Sequence, residues 1–178
     1  QMDYFVDGES RPLVDAKEFT VTLLDNTVLP AEDKEAKVRF QRDVATLQGE
    51  ISSYSRILSE ISDKIKYFEV AVLRLEKPIE ELSSQMKKVK DDLRDINILF
   101  YGDNVKRRLD MQQIPTPSSR VGIIANEQKY STASPTGTHV NSLKIAKEEF
   151  VPLKSRVDLL VENVKSIEDK MKSLGAPY

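Results

Sequence analysis

The one histidine of the chain, His139, closes the stretch YSTASPTGTH at residues 130 to 139, among small hydroxyl side chains, one proline and one glycine. A Ser-His-acid relay would have to use His139 as its base, with the acid brought in from a distance, because none stands near it in sequence. The same composition is that of a turn between two elements. A carboxylate-bridged metal site in a helical protein needs Glu-x-x-His pairs on facing helices. The residue three before His139 is Thr136, so that chemistry fails on inventory. Glycosidase-type acid catalysis needs two carboxylates facing one cleft. Glu148 and Glu149, or Asp91 and Asp92, are adjacent in sequence and would point about 100° apart on a helix, which reads as solvated surface. No cysteine is present, which removes disulfides, thiolate metal sites and cysteine nucleophiles together. The residues call for no catalytic group, no metal and no cofactor.

Charge narrows the partners. Lys and Arg number 27 against 29 Asp and Glu, a net charge of −2 over 178 residues. The basic clusters MKKVKDD and VKRR each have acids within a turn or two, so the footprint of a nucleic-acid binder is absent. No run of about 18 apolar residues exists to span a membrane. Gln1 in place of Met, with no signal-peptide pattern after it, reads as an internal start.

Helices must position whatever the chain does. Charged residues make up 31% of it and glycines only 6, a balance that favours long solvated helices. Val44, Leu47, Ile51, Tyr54, Leu58, Ile61, Ile65, Phe68, Val72 and Leu75 alternate steps of three and four, a heptad seam. Ile79, Leu82, Met86, Val89, Leu93, Ile96 and Phe100 repeat it, as do Ala146, Phe150, Leu153, Val157, Leu160, Val164, Ile167, Met171 and Leu174. Tyr54 and Met86 within these seams read as core and not as a ligand box. The expected fold is mainly α: an antiparallel bundle of three long helices and one short one, each burying a single stripe. The helices are expected at about 31–75, 79–101, 117–129 and 138–174, by seam spacing and caps. Pro30, Glu32 and Asp33 start the first helix, a turn near Glu76 to Pro78 separates it from the second, and Gly102 ends the second in the left-handed conformation. Ser118 or Ser119 caps the short helix, and Thr136 or Thr138 the last, which Pro152 should bend near Glu148.

Residues 1–25 differ. MDYFV and EFTVTLL are β-prone runs joined by DGESRP, which carries Asp-Gly turn chemistry. They read as a β-hairpin left from a preceding β-sandwich, with the helical part at 26–178, since two strands alone bury too little to stand by themselves. Within the joint at 130–139, Tyr130 is expected to cover a seam end and His139 to have no role in stability.

FYGD at 100–103, SSRVGII at 118–124, YSTASPTGTH at 130–139, KIAKEEFVPL at 144–153 and GAPY at 175–178 occur in this order. The order resembles the C-terminal region of bacterial secreted proteins built on a sortilin-like, BNR-repeat β-propeller, often labelled glycosyl-hydrolase-like. Tyr130 and Tyr178 stand where that family commonly has Trp, and Ser134 and Pro135 replace its usual order by a similar one. The resemblance implies a non-catalytic structural or interaction domain, secreted or periplasmic, that packs on the parent propeller or another protein and reaches glycans only through that parent. It implies a joint or interaction surface at Arg120, Tyr130, Ser131, Thr132, Thr136 and Tyr178. Two other classes stay open: part of a sialidase-like glycoside hydrolase, and a coiled-coil adaptor that self-associates through the seams.

Overall fold

A computed structural model describes residues 3–7, 9–12, 18–22, 29–74 and 79–175, and the chain is mainly helical. Two short strands, β1 (Asp3–Val6) and β2 (Glu9–Pro12), precede five helices: α1 (Lys34–Val72), α2 (Glu80–Tyr101), α3 (Asn104–Arg108), α4 (Pro117–Tyr130) and α5 (Gly137–Ser173). Among the described residues no helix is long and apolar enough to cross a membrane.

The strand partner differs from the expected one. β1 pairs antiparallel with β2, Val6 opposite Glu9 and Tyr4 opposite Arg11, whereas Glu18 to Thr22 form no strand and the rest of EFTVTLL lies outside the described residues. The turn chemistry explains the choice. Asp7 has φ 53°, the positive value that a two-residue Asp-Gly hairpin turn requires, so the chain pairs at once with the residues just past the turn.

Capping residues set the helix starts. Asp33 accepts a hydrogen bond from the Ala36 N–H at 2.7 Å, so α1 begins after Asp33 and not at residue 31. Ala31 is buried and donates its N–H to the Thr132 carbonyl, outside any helix. Thr116 caps α4, accepting from the Ser119 N–H at 3.2 Å. Ser118 and Ser119, expected as caps, lie in the first turn instead, because Pro117 has no N–H to satisfy and suits the first helical position. Thr136 caps α5. The five-residue α3 has no apolar period to announce it; Asp103 caps it, accepting from the N–H groups of Val105 and Lys106. The expected turn at Glu76 to Pro78 lies outside the described residues, and Pro152 lies inside α5.

One apolar core takes residues from α1, α2, α4 and α5. Its centre is aromatic: Phe150 of α5 meets Tyr54 of α1 edge-on at 5.6 Å between ring centroids and Phe100 of α2 at 6.0 Å. Surface pairs give the helix directions. Lys147 with Asp43, Lys154 with Glu50, Tyr54 with Asp158 and Lys64 with Glu168 are each separated by 104 residues, so α1 and α5 run parallel in one register. Lys90 with Glu69 and Tyr101 with Ser55 show α2 running opposite to α1. Exposed pairs of this kind contribute little to stability, ~0–1 kcal/mol each. The ion pairs at Asp43, Glu50 and Lys64 are spaced by one and then two heptads, which matches the seam period and so fixes which turn faces which. Lys172 and Lys64 both hydrogen-bond Glu168 and hold its carboxyl below the usual range.

Candidate functional site

The stretch at 130–139 joins three elements. It leaves the end of α4, enters α5 and lies against the approach to α1. Ala31 donates its N–H to the Thr132 carbonyl at 3.0 Å, and the Thr132 hydroxyl donates to the Leu29 carbonyl at 3.0 Å. The Lys37 ammonium donates to the Ser131 carbonyl, the Ser131 hydroxyl accepts from the Ala133 N–H at 3.2 Å, and the Gln41 amide donates to the Gln128 carbonyl at 3.3 Å. A segment with no regular ladder of its own thereby satisfies its backbone groups against a helix about 90 residues away in sequence.

His139 is the hub. The Thr136 hydroxyl accepts from the His139 N–H at 3.2 Å, and His139 Nδ1 accepts from the Thr136 N–H at 3.3 Å, which closes a capping box. A backbone N–H can only donate, so Nδ1 must be the bare nitrogen and Nε2 carries the proton. Nε2 then donates to the Glu127 carboxylate, while the Gln128 amide donates to Nδ1 at 3.1 Å. The basic lone pair is thus engaged by two donors and the ring is oriented for structure, an arrangement that leaves it unsuited to take a proton from a nucleophile. The expectation that His139 has no role in stability is corrected: the ring holds both the α5 cap and Gln128. Gln128, only 4% exposed, is the one buried polar residue among those described. It occupies the position that would continue the apolar stripe Val121 and Ile124 of α4.

Of the six residues expected at one surface, the five that the structure describes are divided by the fold. Ser131, Thr132 and Thr136 sit in the joint. Tyr130 is 76% exposed, with the Lys129 ammonium 5.2 Å from its ring, and does not cover a seam end. It is the last residue of α4, on the face opposite the stripe that ends at Gln128, which turns it to solvent. Arg120 stands near the other end of α4, with Nε 3.5 Å from a Glu149 oxygen on α5. Tyr178 lies outside the described residues. Of the four acids considered above, three face cations: Glu148 faces Lys144, Glu149 Arg120 and Asp91 Arg94. No group of three His, Cys, Asp or Glu side chains placed to hold a metal occurs among the described residues.

Beside Glu149 opens a cleft of about 690 Å³ between α2, α5 and the segment 112–117. Ile98, Leu99, Ile114, Pro115, Pro152 and Leu153 form its apolar lining, and Asp103, Lys106, Glu149 and Arg156 its charged groups. That volume and mixture are those of a ligand or peptide pocket. Polar clamps build the wall. The Asp103 N–H donates to Gln113 Oε1 at 2.8 Å, and Arg107 donates to the Tyr101 carbonyl at 2.6 Å and to the Asn104 side chain at 3.0 Å. The wall buries no side chain from α3. Val105, Leu109, Met111 and Ile114 are exposed, Ile114 to 82%. Of these cleft residues only Glu149, and Lys106 within VKRR, stood out in the sequence in connection with chemistry. The available signal was the off-seam pair Ile98 and Leu99, followed by apolar residues spaced through a loop.

Gly102 turns the corner into this wall at φ 85° and ψ 168°, a region essentially restricted to glycine and not the left-handed helical one expected. A Cβ there would stand 2.8 Å from Gln113 Oε1. Gly102→Ala should therefore destabilise the chain by about 1–3 kcal/mol through backbone strain and a displaced Gln113. A denaturant midpoint equal to that of the unaltered chain would refute this account of the corner. No family model, no curated protein and no solved structure matches the chain.

Proposed function

We propose that this chain is a non-catalytic structural and interaction domain: an antiparallel bundle of three long helices and one short one that presents a docking surface to another protein. The cleft wall is the observation that carries this reading. Side chains that contribute to folding are buried, yet Val105, Leu109, Met111 and Ile114 are exposed on a segment fastened by hydrogen bonds from Asp103 to Gln113 and from Arg107 to Tyr101, and organised apolar exposure of this kind marks a binding surface. The engagement of both His139 nitrogens in local structure supports the non-catalytic part. The sortilin-like resemblance adds the setting: a secreted protein whose propeller, or a partner of it, covers this surface, with β1 and β2 as the remainder of a sandwich between the two.

The test is a panel of fluorogenic glycosides, sialosides included, incubated with the purified chain. No turnover is expected. Turnover abolished by His139→Ala or Glu149→Gln would overturn the reading in favour of a hydrolase.

A further inference from the structure

We infer that the cleft between α2, α5 and residues 112–117 takes an acidic amphipathic helix of a partner protein. This rests on the interaction-domain reading and adds the chemistry of the occupant. Charge complementarity supports it. Of the two acids that line the cleft, Asp103 is engaged in capping α3 and Glu149 faces Arg120. The two cations that line it, Lys106 and Arg156, form no side-chain hydrogen bond or ion pair among the described residues. An apolar floor bounded by two uncommitted cations matches a ligand with an apolar stripe and carboxylates beside it.

Extent favours a polypeptide over a small amphiphile. The apolar lining is shared by α2 (Ile98, Leu99), the segment 112–117 (Ile114, Pro115) and α5 (Pro152, Leu153) around about 690 Å³, which is wider than a single alkyl chain. A helix laid in the groove can cover Ile98, Leu99, Ile114 and Leu153 together, with anchors at i, i+3, i+4 and i+7. The wall is already held by Gln113 and Arg107, so less ordering entropy opposes binding.

The experiment is fluorescence anisotropy with the 178-residue chain and a labelled synthetic helix of about 14 residues, roughly four turns. It carries Leu at the anchor spacing and Glu on the flanks, and its twin has Lys for every Glu. The Glu peptide should bind at least about tenfold more tightly than the Lys twin. The double variant Lys106→Glu, Arg156→Glu should reverse that order. Both side chains are exposed, so the variant should melt like the unaltered chain. Ile114→Asp, also at an exposed position, should weaken the Glu peptide at least about tenfold by placing a charge on the floor. Absent binding, equal binding of the two peptides, or a preference that does not reverse in the folded double variant overturns the assignment. So does saturation by decanoate with both peptides silent, which would make the site one for small amphiphiles. The two readings fail separately: glycoside turnover overturns the non-catalytic reading, whereas charge-blind or absent peptide binding overturns this assignment alone.

Discussion

Phe150→Ala should lower the unfolding free energy by about 3–5 kcal/mol, the range for removing a buried aromatic ring from a close-packed interior. Phe150 is 1% exposed and touches rings from two other helices, Tyr54 of α1 and Phe100 of α2. Truncation removes apolar burial and also both edge-to-face contacts, each worth roughly 0.5–1.5 kcal/mol beyond area. Closing the gap would require α1 and α5 to shift out of the 104-residue register in which their seams interlock. Phe150→Leu retains volume and should cost less than half as much. Urea melts of the two variants decide the matter: equal midpoints for Phe150→Ala and the unaltered chain would mean that the three helices do not meet at this ring.

The double variant Thr136→Ala, His139→Ala should cost about 2–4 kcal/mol, because it combines two losses. The first is the α5 cap, whose removal costs about 0.5–2 kcal/mol. The second is the orphaning of Gln128. Its amide loses His139 Nδ1 as acceptor while staying buried, and an unsatisfied buried polar group costs about 1–3 kcal/mol. The two losses share the ring, so their sum is an upper bound. Adding Gln128→Leu to the double variant should recover part of the stability, since it removes the orphan and continues the apolar stripe of Val121 and Ile124. A triple variant less stable than the double one would show that Gln128 has another partner in solution. Thermal melts of the three proteins at one pH give the answer.

Much of this was legible in the residues because helices are local. The three- and four-residue steps from Val44 to Phe68 place one stripe on one face, and Val44, Leu47, Ile51, Leu58, Ile61, Ile65 and Phe68 are buried. Thr136 could be named as a cap candidate because capping acts across three residues. Short-range chemistry also misled. Ser118 and Ser119 were the obvious hydroxyls, yet one Pro moved the cap to Thr116. The β-prone run at 18–24 was the obvious strand partner, but a strand pairs with whatever the turn delivers, and the Asp7 turn delivers Glu9 to Pro12.

The candidate site was not legible, and the reason is physical. Lys106 and Arg156 are 50 residues apart, and nothing in either neighbourhood states that they line one cleft or that the acids beside them are engaged elsewhere. His139 could be seen to be alone in kind, but its role depends on Glu127 and Gln128 from another helix arriving at its two nitrogens. The sequence by itself determined helix content, the buried stripes and the absence of thiol chemistry, since these follow from residue type and from contacts within a few turns. Only the tertiary structure decided the parallel register of α1 and α5, the structural employment of His139 and the outward apolar wall at 102–117. Each of those depends on which distant side chains satisfy or leave unsatisfied a given polar atom, and that is a property of the packed chain.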